Sequence, residues 1–152
     1  MSVKTIVLAA GGGNGDLVDR LAATATDIAD PADAEIILAH VFSDAEYDEA
    51  RDRLNLSQDS EVTPSAIAQR KTDVRDLVDR LTESGLNVTT YGRLAGGASR
   101  GERLAEIAEE VDADMVVVGG RDRSPAGKAL FGPTSQDVLL DAACPVTFVR
   151  AA

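Results

Sequence analysis

The segment from Ala113 to Arg150 constrains the fold of this chain more than any other. An apolar run, Met115 to Val118, meets Gly119-Gly120. A polar stretch carrying Arg121, Arg123 and Lys128 follows. Gly132-Pro133-Thr134-Ser135 then opens an amphipathic segment, and Pro145 to Val149 returns as a second apolar run. This pattern predicts strand, glycine loop, helix and strand. Such a loop, ending at a helix N-terminus, offers backbone N–H groups to an anion such as a phosphate. Between Gly119 and Ser135, three positive charges stand against one negative, Asp122, in a chain of net charge -11. On spacing alone, a phosphate site and an ordinary connection with solvated charges fit this loop equally well.

The rest of the chain repeats the same grammar. Val3 to Ala10 reads as a buried strand, ended by Gly11-Gly12-Gly13-Asn14-Gly15. From Asp16, the residues Leu17, Val18, Leu21, Ala22 and Ala25 follow helical spacing until the turn signal at Asp30-Pro31. Glu35 to Val41 predicts a second strand. Ser43 to Pro64 is polar and acidic, with Leu54 and Leu56 as its few apolar anchors. It reads as a surface excursion, partly helical and mobile. One helix is expected over Ser65 to Leu81, with Ile67, Val74, Leu77, Val78 and Leu81 as its buried stripe and Ser84-Gly85 as its stop. Leu86 to Tyr91 predicts a third strand. A helix starting at Ser99 or Gly101 presents Leu104, Ile107, Ala108 and Val111.

Five strands alternating with helices predict an α/β fold: one Rossmann-like domain over residues 1–152, an open, doubly wound parallel sheet with helices on both faces. Ligands of such sheets bind outside the carboxyl ends of the strands, where strand order reverses. With the order 3-2-1-4-5, the first and fourth strands are neighbours across that point. Both glycine loops then border one crevice, with Ala9 and Val118 near the strand ends.

Composition narrows the partners. Aromatics are 3% of the 152 residues and there is no Trp, so the core is aliphatic and a base-stacking platform is not expected. A net charge of -11 disfavours nucleic acid and anionic membranes. The basic residues are three Lys against twelve Arg. An acidic surface poor in Lys suits a salt-rich cytoplasm, where screening relieves self-repulsion, so a halophilic source is one expectation and an ordinary acidic protein the other. No signal-like or membrane-length apolar run occurs, and a cytoplasmic location is expected. Cys144 is the one cysteine, which leaves no intrachain disulfide, and it is expected to be a buried packing thiol.

Other candidate motifs weaken on inspection. In the Gly11–Gly15 loop, Asp16 follows where a dinucleotide fingerprint wants a third glycine, and no Gly-Lys-Ser/Thr triplet exists. His40 is the one histidine. With a single cysteine it cannot build a zinc site, and no motif gives it a nucleophile. It reads as a structural residue at a strand end. The acidic run Asp44 to Glu49, with Asp52, lacks EF-hand spacing and reads as a solvated face.

The whole chain resembles the universal stress protein family, of the single-domain type. The resemblance rests on Asp112-Ala113-Asp114-Met115-Val116-Val117-Val118-Gly119 through Val149-Arg150, on Ala143-Cys144-Pro145-Val146, and on Leu38-Ala39-His40-Val41. It covers nearly everything outside 43–64. It implies strand order 3-2-1-4-5, homodimers paired through the last strand (Pro145 to Val149 here), a role in stress survival, and in some members ATP in the crevice. The implied adenine-nucleotide site is partly degenerate. Gly119 and Gly132 match the family's spaced glycines. Asp122 replaces another glycine, and Pro133 stands where Ser or Thr belongs, with Thr134 and Ser135 directly after. Gly11 stands where ATP-binding members carry Asp. Val41 fits the position whose backbone meets adenine, and Arg121 adds positive charge near the phosphates. At roughly 5 Å and an effective dielectric near 20, a carboxylate at 122 repels a phosphate by about 3 kcal/mol before screening. Pro133 suits the first helical position but removes an N–H donor. No general base is placed, so catalysis is not expected, although a weak ATPase remains a second reading. A dimeric interaction module with an empty crevice is a third.

Overall fold

The computed structural model describes residues 3–10, 15–55, 62–120 and 132–150. Along the chain lie β1 (Thr5–Ala9), α1 (Gly15–Ala32), β2 (Glu35–Phe42), α2 (Asp44–Arg53), α3 (Pro64–Ala68) and α4 (Thr72–Glu83). They are followed by β3 (Val88–Leu94), α5 (Arg100–Glu110), β4 (Met115–Gly120), α6 (Pro133–Asp141) and β5 (Val146–Arg150). All strand pairs are parallel, in the order β3-β2-β1-β4-β5 that the family resemblance implies.

The strands are apolar on both faces because helices cover both. Alternation sends Ile6, Leu8, Ile36, Leu38 and Val117 towards α1 and α4, which supply Leu17, Leu21, Val74, Leu77 and Leu81. Val7, Ile37, Ala39, Val116 and Val118 face the opposite way, towards Leu104, Ile107 and Ala108 of α5 and Val138 of α6. The chain leaves β1 for one face and β4 for the other. β1 and β4 stay paired side by side, but the helices that follow them lie on opposite faces, which makes their carboxyl ends the switch point at which such sheets take ligands. At the amino end, the Asp114 carboxylate accepts from the backbone N–H groups of Lys4 (2.8 Å) and Thr5 (3.1 Å). Those two bonds hold it below its ordinary range.

Several boundaries differ from expectation. α1 runs through Asp30-Pro31 to Ala32, because the actual stop is Asp33, whose φ of 53° breaks the helix. The Ala34 N–H closes back on the Ala29 carbonyl at 3.0 Å. The single helix expected over 65–81 is two, α3 and α4, interrupted at Gln69–Lys71. α3 docks on the outer edge of β3, whereas α4 packs on the sheet face, and one straight helix cannot do both. β3 starts and ends later than expected, at Val88 and Leu94. Gly119 and Gly120 belong to β4 rather than to a loop. Inside the 43–64 excursion, Tyr47 is a buried anchor packing on Phe42, with ring centroids 5.2 Å apart. Leu54 packs beside them, and Leu56 lies outside the described residues. Cys144 is half-buried rather than buried, and burial followed by the Asp114 charge pushes its thiol up.

Candidate functional site

The carboxyl ends of β1, β2 and β4, with the start of α6, lie at the switch point where the expected crevice belongs. Leu8 pairs with Val117 and Ala9 with Ala39, so Ala9 and Val118 lie side by side as the strands end. Val41 continues β2 two residues beyond Ala39 and is buried. Gly132 is the N-cap residue of α6, Pro133 is exposed, and Thr134 is half-buried. Gly11, Arg121, Asp122, Arg123 and Lys128 fall outside the described residues.

The two glycines of β4 have packing reasons of their own. A Cβ on Gly120 would run into the Phe148 ring, and one on Gly119 would press on Leu17. Ser135 is buried, and its hydroxyl donates to the Gly119 carbonyl at 3.1 Å. The first turn of α6 is thereby tied to the end of β4 across the connecting segment. Gly101 performs a similar service between helices. A Cβ there would overlap the Thr134 carbonyl, so its absence lets the starts of α5 and α6 sit together.

The helix starts at this end of the sheet are not equivalent. α2 is capped by Ser43, whose hydroxyl accepts from the Glu46 N–H at 3.1 Å. At the start of α5, a reciprocal capping box joins Ser99 and Glu102. The N-cap residues of α4 and α6, Lys71 and Gly132, make no side-chain cap bond, and that of α6 is a glycine with no side chain to offer. The backbone donors of its first turn carry the positive end of the helix dipole.

One polar cluster escaped the sequence reading. Glu46 belongs to the acidic run expected to be a solvated face, yet its side chain is only 24% exposed. Its carboxylate binds His40 Nε2 at 2.8 Å, Lys71 Nζ at 3.2 Å and Arg100 at 3.0 Å. Burial pushes this carboxyl up, but the hydrogen bonds and charges of His40 and Lys71 outweigh it and hold it at about 2. His40 is 4% exposed, and its Nδ1 lies 3.0 Å from the Ala10 carbonyl. It does stand at the end of a strand, as expected, but at the centre of a polar network. The signal was Ser43-x-x-Glu46, the spacing of a helix start that places Glu46 in the first turn.

Beside β5, a depression of about 390 Å³ is lined in part by Arg20, Thr24, Thr147, Phe148 and Arg150. Among the described residues, no group of three or more His, Cys, Asp or Glu is placed to hold a metal ion. No helix among them is long and apolar enough to cross a membrane.

The family model described as the universal stress protein family matches residues 2–150. A universal stress protein of Mycolicibacterium smegmatis is 33% identical over 81 residues, which span 53% of this chain and 61% of that protein. The structure of a universal stress protein from Archaeoglobus fulgidus superposes with a TM-score of 0.69 at 25% identity, covering 95% of this chain and 97% of the other. A universal stress protein solved in complex with cAMP gives 0.66 at 23% identity over 100% of both chains. A universal stress protein from Archaeoglobus fulgidus in complex with dAMP gives 0.62 at 22% identity, covering 97% of this chain and 98% of the other.

Proposed function

This chain belongs to the universal stress protein family, and on that premise we propose that it is a dimeric, cytoplasmic stress-response regulator whose crevice takes an adenine nucleotide. The observation that carries this reading is the start of α6, whose N-cap glycine supplies no side-chain cap and whose first turn is tied to the end of β4. A phosphate placed there meets backbone donors and the helix dipole together. Two solved relatives support the ligand class, since one holds cAMP and the other dAMP.

In this reading the adenine lies against the backbone at Val41, and Ala9, Gly11 and Val118 border the nucleoside. Gly119, Arg121, Asp122 and Gly132 to Ser135 surround the phosphates. Thr134 supplies the hydroxyl, because that of Ser135 is already donated to Gly119. Pro133 contributes shape but no N–H. Asp122 weakens the site by its charge.

Isothermal calorimetry with ATP, ADP, AMP and cAMP, at low and at molar salt, tests the reading. Binding by at least one of them is expected, and Asp122→Gly should strengthen it at low salt. Silence towards all four at millimolar concentration would leave the interaction module. Leu140, 74% exposed on α6, is the observation that favours that alternative.

A further inference from the structure

We infer that His40 is a positioning residue: its ring, protonated on both nitrogens, clasps the end of β1 to α2, so that the mouth of the crevice depends on a bound proton. The hydrogen-bond chemistry carries the argument. His40 Nδ1 faces the Ala10 carbonyl at 3.0 Å, and a carbonyl only accepts. Nε2 faces Glu46 Oε2 at 2.8 Å. Lys71 and Arg100 also contact that carboxylate, and Lys71 favours its ionised form, so it too only accepts. A neutral imidazole has one N–H for these two acceptors, and only the imidazolium makes both bonds.

The position gives the clasp its consequence. The Ala10 N–H already donates to the Ala39 carbonyl at 2.8 Å. With His40 on its carbonyl, both polar groups of Ala10 are fixed from β2. Ala10 is where the chain leaves β1, at the crevice and next to Ala9. The charged groups around the ring are Glu46 from α2, and Lys71 and Arg100 behind it at the starts of α4 and α5. On the β3 side, the residue paired with His40 is Gly92, which has no side chain to titrate. The Phe42 ring stands edge-on, with centroids 4.5 Å apart, and fixes the plane of the imidazole. When the second proton leaves, a ring lone pair is turned on the Glu46 carboxylate or the Ala10 carbonyl loses its donor. Either event loosens the end of β1 from α2.

The effect on ligands rests on the nucleotide reading, whereas the clasp does not, so the test has two arms. His40 is the one histidine, and its ring resonances therefore need no separate assignment. Nitrogen NMR of the ring is followed from about pH 5 to about pH 9 together with the amides of Ala10 and Glu46. Both ring nitrogens should be protonated at the acid end, and both amides should move with the ring. A Glu46→Gln side chain can donate to Nε2, so a neutral ring keeps its Ala10 bond. The amide of Ala10 should then ignore the ring titration. One protonated nitrogen at the acid end, or amides that stay still while the wild-type ring titrates, would overturn the clasp. For the second arm, cAMP is the probe, because its phosphodiester keeps one charge throughout. Its affinity should fall about fivefold as the ring loses its proton, and stay level in Glu46→Gln. Level affinity in the wild type, with moving amides, would overturn the link to the crevice. No cAMP binding at any pH would count against the nucleotide reading, and the first arm then decides the clasp alone.

Discussion

The two edges of the sheet are finished in opposite ways. At β3, alternation turns the polar backbone of Gly92 outward, and α3 is waiting for it. The Gly92 N–H donates to Ser65 Oγ at 3.0 Å, and the same hydroxyl lies 3.5 Å from the Gly92 carbonyl. A single serine thus occupies the place a further strand would take. At β5, the Val116 N–H donates to Pro145, so the backbone groups of Val146 and Arg150 turn outward. The described residues lay no helix over this edge, and Arg20 reaches only the last carbonyl, that of Arg150, at 3.3 Å. A sheet with two open edges can add copies without end, whereas one open edge pairing with its own copy closes as a dimer. The contrast supports the proposed pairing through β5.

The largest way to break the contrast is Gly92→Val. Its Cβ would overlap the Pro64 carbonyl and drive α3 off the edge. A loss of about 3 kcal/mol or more is expected in chemical denaturation, with species larger than dimers in light scattering. Next comes Glu46, which holds α2 to the segments that flank α3. Its carboxyl lies at about 2 in the folded protein, against an ordinary 4.5. Because the folded value is the lower one, the stabilisation is present above pH 4.5 and is lost as pH falls towards 2. The stability difference between wild type and Glu46→Gln should be about 2 kcal/mol at neutral pH and shrink over that window. Ser65→Ala should cost about 1 kcal/mol and leave the Gly92 N–H without its acceptor. At the other edge, Val146→Lys should weaken self-association about tenfold in analytical ultracentrifugation while barely changing monomer stability. The smallest effect is that of salt. Each copy carries -11, so added salt should tighten the dimer several-fold by screening repulsion. Association that weakens with salt would count against pairing between like-charged copies.

The sheet was legible because its chemistry is local. Val, Ile and Leu runs such as Ile6–Leu8 and Val116–Val118 admit few readings other than buried strands. α5 was legible because Ser99 and Glu102 announce its start. What stayed hidden depends on distant partners. Nothing near Gln69 says that α3 must stop there; the reason is Gly92, on another strand. Asp30-Pro31 looked like a stop, yet the turn forms at Asp33, which takes a positive φ. Gly119-Gly120 looked like a loop because their crowding by Leu17 and Phe148 is invisible in one dimension. Glu46 looked solvated because its three partners come from β2 and from the starts of α4 and α5. For the crevice, the residues contributed by strand ends were legible, and the electrostatic tie behind them was not.

The bond between Ser135 and Gly119 bears on how such proteins diversify. It fastens the two anchors of the connecting segment, residues 121–131, to each other, independently of what lies between. Phe148 against Gly120 and Gly101 against Thr134 secure the same anchors from the sides. Substitutions within the segment can then rewrite charge and donors without a matching change in the scaffold, because loop closure is already set by the anchors. A phosphate-binding version and a non-binding version of the segment become interchangeable inserts on one frame. Transplanting the corresponding segment of a nucleotide-holding relative between Gly120 and Gly132 is therefore a practical route to converting one into the other.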